Sequence, residues 1–254
     1  MPRIFAFGEG RTDQIVFEVL WEHSSASSAE GFQQFISVRG KDNFRSKIAE
    51  TVRSELVPNR EVRVLVFRDL DSGEDPSNIM QSFRDLVWEL LDEWGLQPGL
   101  QALNSHPNVY VCTQPPSERT PGLRLVLHIA DLDAVPDLPV QLLNHTTDAY
   151  LLAIGLTEPV LNRFANRIGS TPQSLSRLIT NALPSAMTQE NIVFDQDKDY
   201  LAAYLCAVRF WVVHRTEEQA RLARIILKRA LKYGQEDVRT VFRSWIAAIE
   251  EVSR

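Results

Sequence analysis

The sequence predicts an α/β protein: a doubly wound, mostly parallel sheet of four or five strands, followed by a helical C-terminal region. Short apolar runs at 4–7, 32–38, 62–67, 109–112 and 123–129 are rich in β-branched and aromatic residues and read as strands. The first three are separated by stretches with apolar residues at helical spacing, which gives the order βαβαβαββ and argues for parallel pairing with helices on both faces. Beyond Pro139 only helical periodicity remains. The expected division is an α/β domain over 1–138 and a helical cap or extension over 139–254.

Each element has a local cause. The strand at 4–7 ends at Gly8-Glu9-Gly10, where glycines let the backbone turn and approach a ligand closely. Thr12 is placed to cap the helix that follows, which turns Ile15, Val16, Val19 and Leu20 inward. After the strand at 32–38, Gly40 to Asn43 turn into a helix with Phe44, Ile48, Val52 and Leu56 on one face. Pro58 and Asn59 stop it. The strand at 62–67 delivers Asp69 and Asp71, and a long amphipathic helix over 77–94 closes at Gly95. Pro115, Pro116 and Pro121 make 114–122 an exposed loop. Helical patterns then cover 147–154, 158–168, 174–183, 198–213, 217–233 and 236–252, with turn signals at Gly155, Gly169, Pro172, Pro184 and Gly234.

Composition bounds the function. With 44% hydrophobic and 24% charged residues the chain can bury a core, and a formal charge of −6 argues against a general cationic coat for nucleic acid. Two distant cysteines, Cys112 and Cys206, support neither a disulfide framework nor a zinc site and read as buried reduced thiols. The five histidines form no metal-binding pair. No signal pattern and no apolar run of membrane-spanning length occurs, so a cytoplasmic protein is expected.

The chemistry lies where strands end. In open α/β sheets ligands bind beyond the carboxyl ends of the strands. If the first and third strands are neighbours, Glu9, Asp69 and Asp71 meet there as an oxygen-rich site for a hard cation such as Mg²⁺. The alternative for Asp69 and Asp71 is an Asx turn or a helix cap. Asp13 lies one turn beyond Glu9 and is placed to support it. Glu74 and Asp75 read either as second ligands or, the reading preferred, as the acids a helix N-terminus favours. Asp131 and Asp133 repeat the Asp-x-Asp pattern and join the same edge only if the preceding strand is parallel. Lys198 is placed either in a solvated cap or near a phosphate oxygen. On the helix from Glu217, Arg221, Arg224, Lys228 and Lys232 make one basic stripe, either a solvated face or a track for a nucleic-acid backbone. Phe210, Trp211, Phe242 and Trp245 read as core packing.

Gly8-Glu9-Gly10-Arg11-Thr12-Asp13 after one apolar strand and Asp69-Leu70-Asp71 after another together resemble the TOPRIM domain. Topoisomerases, bacterial primases, small RNA-maturing nucleases and OLD-family nucleases share that domain. The Glu-Gly-x-Thr-Asp form is most similar to OLD-type and small stand-alone TOPRIM proteins, and the resemblance covers about the first 130 residues. It implies a Mg²⁺-dependent (or Mn²⁺-dependent) nuclease acting on DNA or RNA. Glu9 and Asp13 would act in acid/base roles, with Glu9, Asp69 and Asp71 as metal-facing acids. OLD-type nucleases have a further acid after the core, for which Asp148 is the candidate. Relatives of that type often carry an ATPase domain; no GxxxxGK[ST] occurs here, so ATP-driven work would need a separate ATPase partner. A homodimer is compatible with the sequence. Two alternatives are a non-catalytic TOPRIM-fold binding or regulatory protein, and a phosphatase- or phosphotransferase-like enzyme with Asp69 as nucleophile.

Overall fold

The computed structural model describes residues 2–28, 31–71, 73–132, 145–194, 196–208 and 219–254. They form two compact units. The first comprises the chain to Ala130 together with Ser244–Arg254, and the second runs from Asp131 to Arg243. The boundary therefore falls before 138, and the expected helical extension to 254 is corrected: its last stretch belongs to the sheet.

The first unit is α/β. Its strands are β1 (Arg3–Gly8), β2 (Phe32–Ser37), β3 (Glu61–Arg68), β4 (Gln101–Leu103), β5 (His106–Gln114) and β6 (Gly122–Ile129). They form one mixed sheet in the order β2-β1-β3-β6-β5-β4. β2, β1, β3 and β6 run parallel, and β5 and β4 are antiparallel additions at one side. The sixth strand, β4, was not expected. It is three residues long and mostly exposed, too short to carry a period, and it pairs with β5 across a tight turn. From β1 the chain steps to β2 on one side and then to β3 on the other. The order thus reverses between β1 and β3, the position at which open α/β sheets bind ligands beyond the strands' carboxyl ends.

One face of the sheet buries Phe5, Phe7, Val62, Val64 and Val66 with the apolar sides of α2 (Phe44–Val52) and α3 (Pro76–Leu91). On the other face Phe17 of α1 (Arg11–His23) lies among Phe32, Phe35 and Phe67. The C-terminal helix, Arg243–Ser253, completes that face. Its Trp245 stacks on Phe67 with ring centroids 3.9 Å apart, Ser244 Oγ lies 2.9 Å from His128 Nε2, and Arg124 pairs with Glu251 at 2.8 Å. Trp245, Ala248, Ile249 and Val252 are buried at helical spacing. The sequence shows that apolar face but not what it docks on.

The second unit is helical: α4 (Thr147–Gly155), α5 (Glu158–Ile168), α6 (Pro172–Arg177), α7 (Leu183–Gln189), α8 (Asp197–Val208), α9 (Gln219–Tyr233) and α10 (Gln235–Val241). We number Arg243–Ser253 of the first unit α11. Pro184 does not stop a helix as expected. A π turn over Leu178–Ala182 joins α6 to α7 and leaves Pro184 in the first turn of α7, where its missing N–H costs nothing. The single helix expected over 236–252 is divided at buried Phe242 into α10 and α11. Among the described residues no helix is long and apolar enough to cross a membrane. Cys112 is buried, which pushes its thiol up to about 12, whereas Cys206 is exposed rather than buried as expected.

Candidate functional site at the carboxyl edge of the sheet

Gly8 ends β1, and its lack of a side chain is required. A Cβ there would lie 2.6 Å from the Phe35 ring and 2.7 Å from Asp13 Cβ. Gly10 has open space around it and an extended backbone, so the tight approach belongs to Gly8 alone. Gly10, not Thr12, is the N-cap of α1; the helix starts at Arg11. The buried carboxylate of Asp13 reaches back and accepts the Gly10 N–H at 2.9 Å, one half of a capping box. Asp13 thereby fixes the turn that presents Glu9.

β1 and β3 are neighbours, so Glu9 and the residues after Phe67 emerge side by side. Between them stands Arg68, the last residue of β3 and only 6% exposed. Its guanidinium donates to Glu9 Oε1 at 2.6 Å, to both Glu74 carboxylate oxygens at 2.7 and 2.9 Å, and to the Asp69 backbone carbonyl. Glu74 in turn accepts the Asp71 N–H at 3.0 Å. Lys41 closes the outer side, with Nζ 2.9 Å from Asp71 Oδ2 and 3.0 Å from Glu74 Oε1. Burial is the main influence on the Glu9 carboxyl and raises its pKa; Arg68 opposes this, and Asp13, Asp71 and Glu74 add to it. The edge is thus crowded with acid beyond what its cations offset.

Asp13, Asp71 and Glu74 lie near enough to Glu9 to act on its carboxyl, whereas the contact shown for Asp69, expected in the same set, is that of its backbone carbonyl with Arg68. The Asp75 expectation holds: its side chain accepts the Ser77 N–H at 2.9 Å and caps α3. Arg68 was missed altogether. A cation at the last position of an apolar strand is the signal, because a guanidinium buried there requires carboxylate partners. A depression of about 340 Å³ opens beside this cluster, with Lys41, Arg45, Arg68 and Glu74 on its polar side.

Among the described residues, no group of three or more His, Cys, Asp or Glu side chains is spaced to hold an ion by itself. The donor set still fits Mg²⁺, which takes one or two protein carboxylates and completes its shell with water and substrate phosphate. Glu9 and Asp71, which stand close enough to act on one another, would be its protein carboxylates, with Asp69 close to Asp71 in sequence. The Lys41–Asp71 pair is well exposed and therefore weak enough to yield to such an ion, whereas buried Arg68 stays.

The remaining candidates lie in the helical unit. Asp148 occupies the first turn of α4, where an acid favours the helix terminus. β6 is parallel to β3, so the condition set for Asp131 is met; its Oδ1 lies 3.0 Å from His145 Nδ1. Lys198 is exposed in the first turn of α8. Asp133, Phe210, Trp211 and Glu217 lie outside the described residues. Arg221, Arg224, Lys228 and Lys232 of α9 form one wall of a groove whose other wall is α5. No protein-family model, curated protein or solved structure matches the chain.

Proposed function

We propose that the carboxyl edge of the sheet is a TOPRIM-type site for Mg²⁺-dependent hydrolysis of phosphodiester bonds in DNA or RNA. The observation that carries this is the meeting of Glu9 from the β1 turn with Asp71 and Glu74 from the β3 loop around one buried arginine. The bound ion would supply charge neutralisation and Lewis acidity at the phosphate. Glu9 would accept a proton from the attacking water, with Arg68 fixing its orientation. Asp13 holds the turn that carries Glu9. Arg45, exposed beside the depression, would take a phosphate oxygen.

The test is cleavage of plasmid, single-stranded DNA and RNA with Mg²⁺ or Mn²⁺ by wild type, Glu9→Gln and Asp69→Asn. Each substitution is expected to lower the rate by about 100-fold or more. Equal cleavage by all three proteins would remove the assignment.

Arg68 also favours a second reading, a non-catalytic binding protein, because its ion pairs partly neutralise the edge without any metal. Under it, Mg²⁺ binds without turnover on any of the three substrates.

A further inference from the structure

The helical unit contains a second charged site, of opposite sign. A groove of about 600 Å³ runs between α5 and α9. Arg163 and Arg167 line it from α5, and Arg224, Lys228 and Lys232 from α9. No carboxylate is among its lining residues. Arg229 enters from α9 with its guanidinium over the Phe164 ring at 4.2 Å, and its Nη1 is buried without a hydrogen-bond partner among the described residues. Arg163 lies over the ring of Tyr233 at 3.8 Å, at the end of α9.

Arg163, Arg167 and Arg229 lie close enough to repel one another, and a buried N–H donor left unmet among the described residues costs free energy. Burial is the first cause, and Arg167 a further one, of the lowered pKa of Arg229. A folded protein keeps such an arrangement at a cost that a bound anion offsets. The cations converge on a concave space whose volume falls within the range of small-molecule pockets, about 300–1,000 Å³. Arginine forks suit phosphate oxygens, and the Arg163–Tyr233 pair offers a planar surface for a base.

We infer that the α5–α9 groove binds a small, multiply phosphorylated ligand of the nucleotide class. The proposal is independent of the acidic edge, since every residue it uses lies in the helical unit.

The test is calorimetric titration of the full chain with inorganic tripolyphosphate, ATP and a 20-mer of deoxythymidine, in EDTA so that nothing is cleaved. Lys228 and Lys232 are exposed, so Lys228→Gln/Lys232→Gln is expected to fold as wild type, checked by urea unfolding. Tripolyphosphate and ATP are expected to bind wild type and to bind the double variant at least about tenfold more weakly, as the loss of two charge-assisted contacts implies. Arg163→Gln should weaken ATP more than tripolyphosphate, and Glu9→Gln should bind both as wild type does. Unchanged Kd in the double variant, no binding of either small anion, or tight binding of the 20-mer alone would each overturn the proposal. Loss of nuclease activity in Glu9→Gln with ligand binding intact separates this site from the acidic one.

Discussion

The acidic edge and the basic groove handle excess charge in opposite ways. At the edge, each carboxylate near Arg68 is met by a cation or a backbone N–H, and one buried arginine ties three chain segments together. In the groove, like charges from two helices face a common space with no acid among its lining residues. The first arrangement is held together from within. The second gathers cations of both helices around one space. A charged side chain therefore has no fixed worth: the same residue type stabilises one region and strains the other.

Substituting one arginine in each region puts that contrast to its hardest test. Arg68→Ala leaves Glu9 and Glu74 half-buried without their cation and is expected to destabilise by about 3–5 kcal/mol. Arg167→Gln is expected to change stability by less than about 0.5 kcal/mol, in the stabilising direction, because it relieves repulsion on an exposed helix. Urea unfolding of both variants measures this, and a destabilised Arg167→Gln would break the comparison.

The pH of that measurement matters. Burial, reinforced by His106, pushes the His128 imidazole from its usual 6.5 down to about 3. The unfolded chain thus binds a proton below pH 6.5 that the folded chain refuses. Stability is full above pH 6.5 and falls as the pH drops towards 3, by about 1.4 kcal/mol per pH unit from this group. Urea midpoints at pH 7.5, 6.0 and 5.0 should show the loss, and His128→Gln should flatten it. The arginine comparison is cleanest above pH 7.

Gly8→Ala probes the smaller scale of turn geometry. The added methyl meets Phe35 and Asp13, so a loss of about 1–3 kcal/mol is expected, together with a displaced Glu9. Urea unfolding reads the first effect and cleavage rate the second. A variant as stable as wild type would mean that the Phe35 ring gives way freely.

Much of this was legible in the sequence, for identifiable reasons. β1, β3 and β6 announce themselves because central parallel strands, buried on both faces, are written as continuous apolar runs; Val62 to Phe67 is one. β4 has no such run. Glu9, Asp13 and Asp71 were readable from strand ends, because parallel topology gathers those ends at one edge. Glu74 was readable only as one of two alternatives, because an acid before a helix has a sufficient local explanation, and only the side chain of Arg68 draws it inward. Likewise the α9 stripe was visible as periodicity, but the partner wall on α5, with Arg163 and Arg167, is a product of tertiary packing that spacing does not encode.

The return of α11 to the sheet has a consequence for biosynthesis. Arg63 donates to the Val252 carbonyl at 3.2 Å across 189 positions, and Trp245 covers Phe67. A nascent chain emerging from the ribosome would present β3 and β6 with that side bare until residues 244–254 appear. The strands made early therefore wait longest for their cover, and a translation pause ahead of residue 244 would leave a sticky half-built intermediate in need of chaperone shelter.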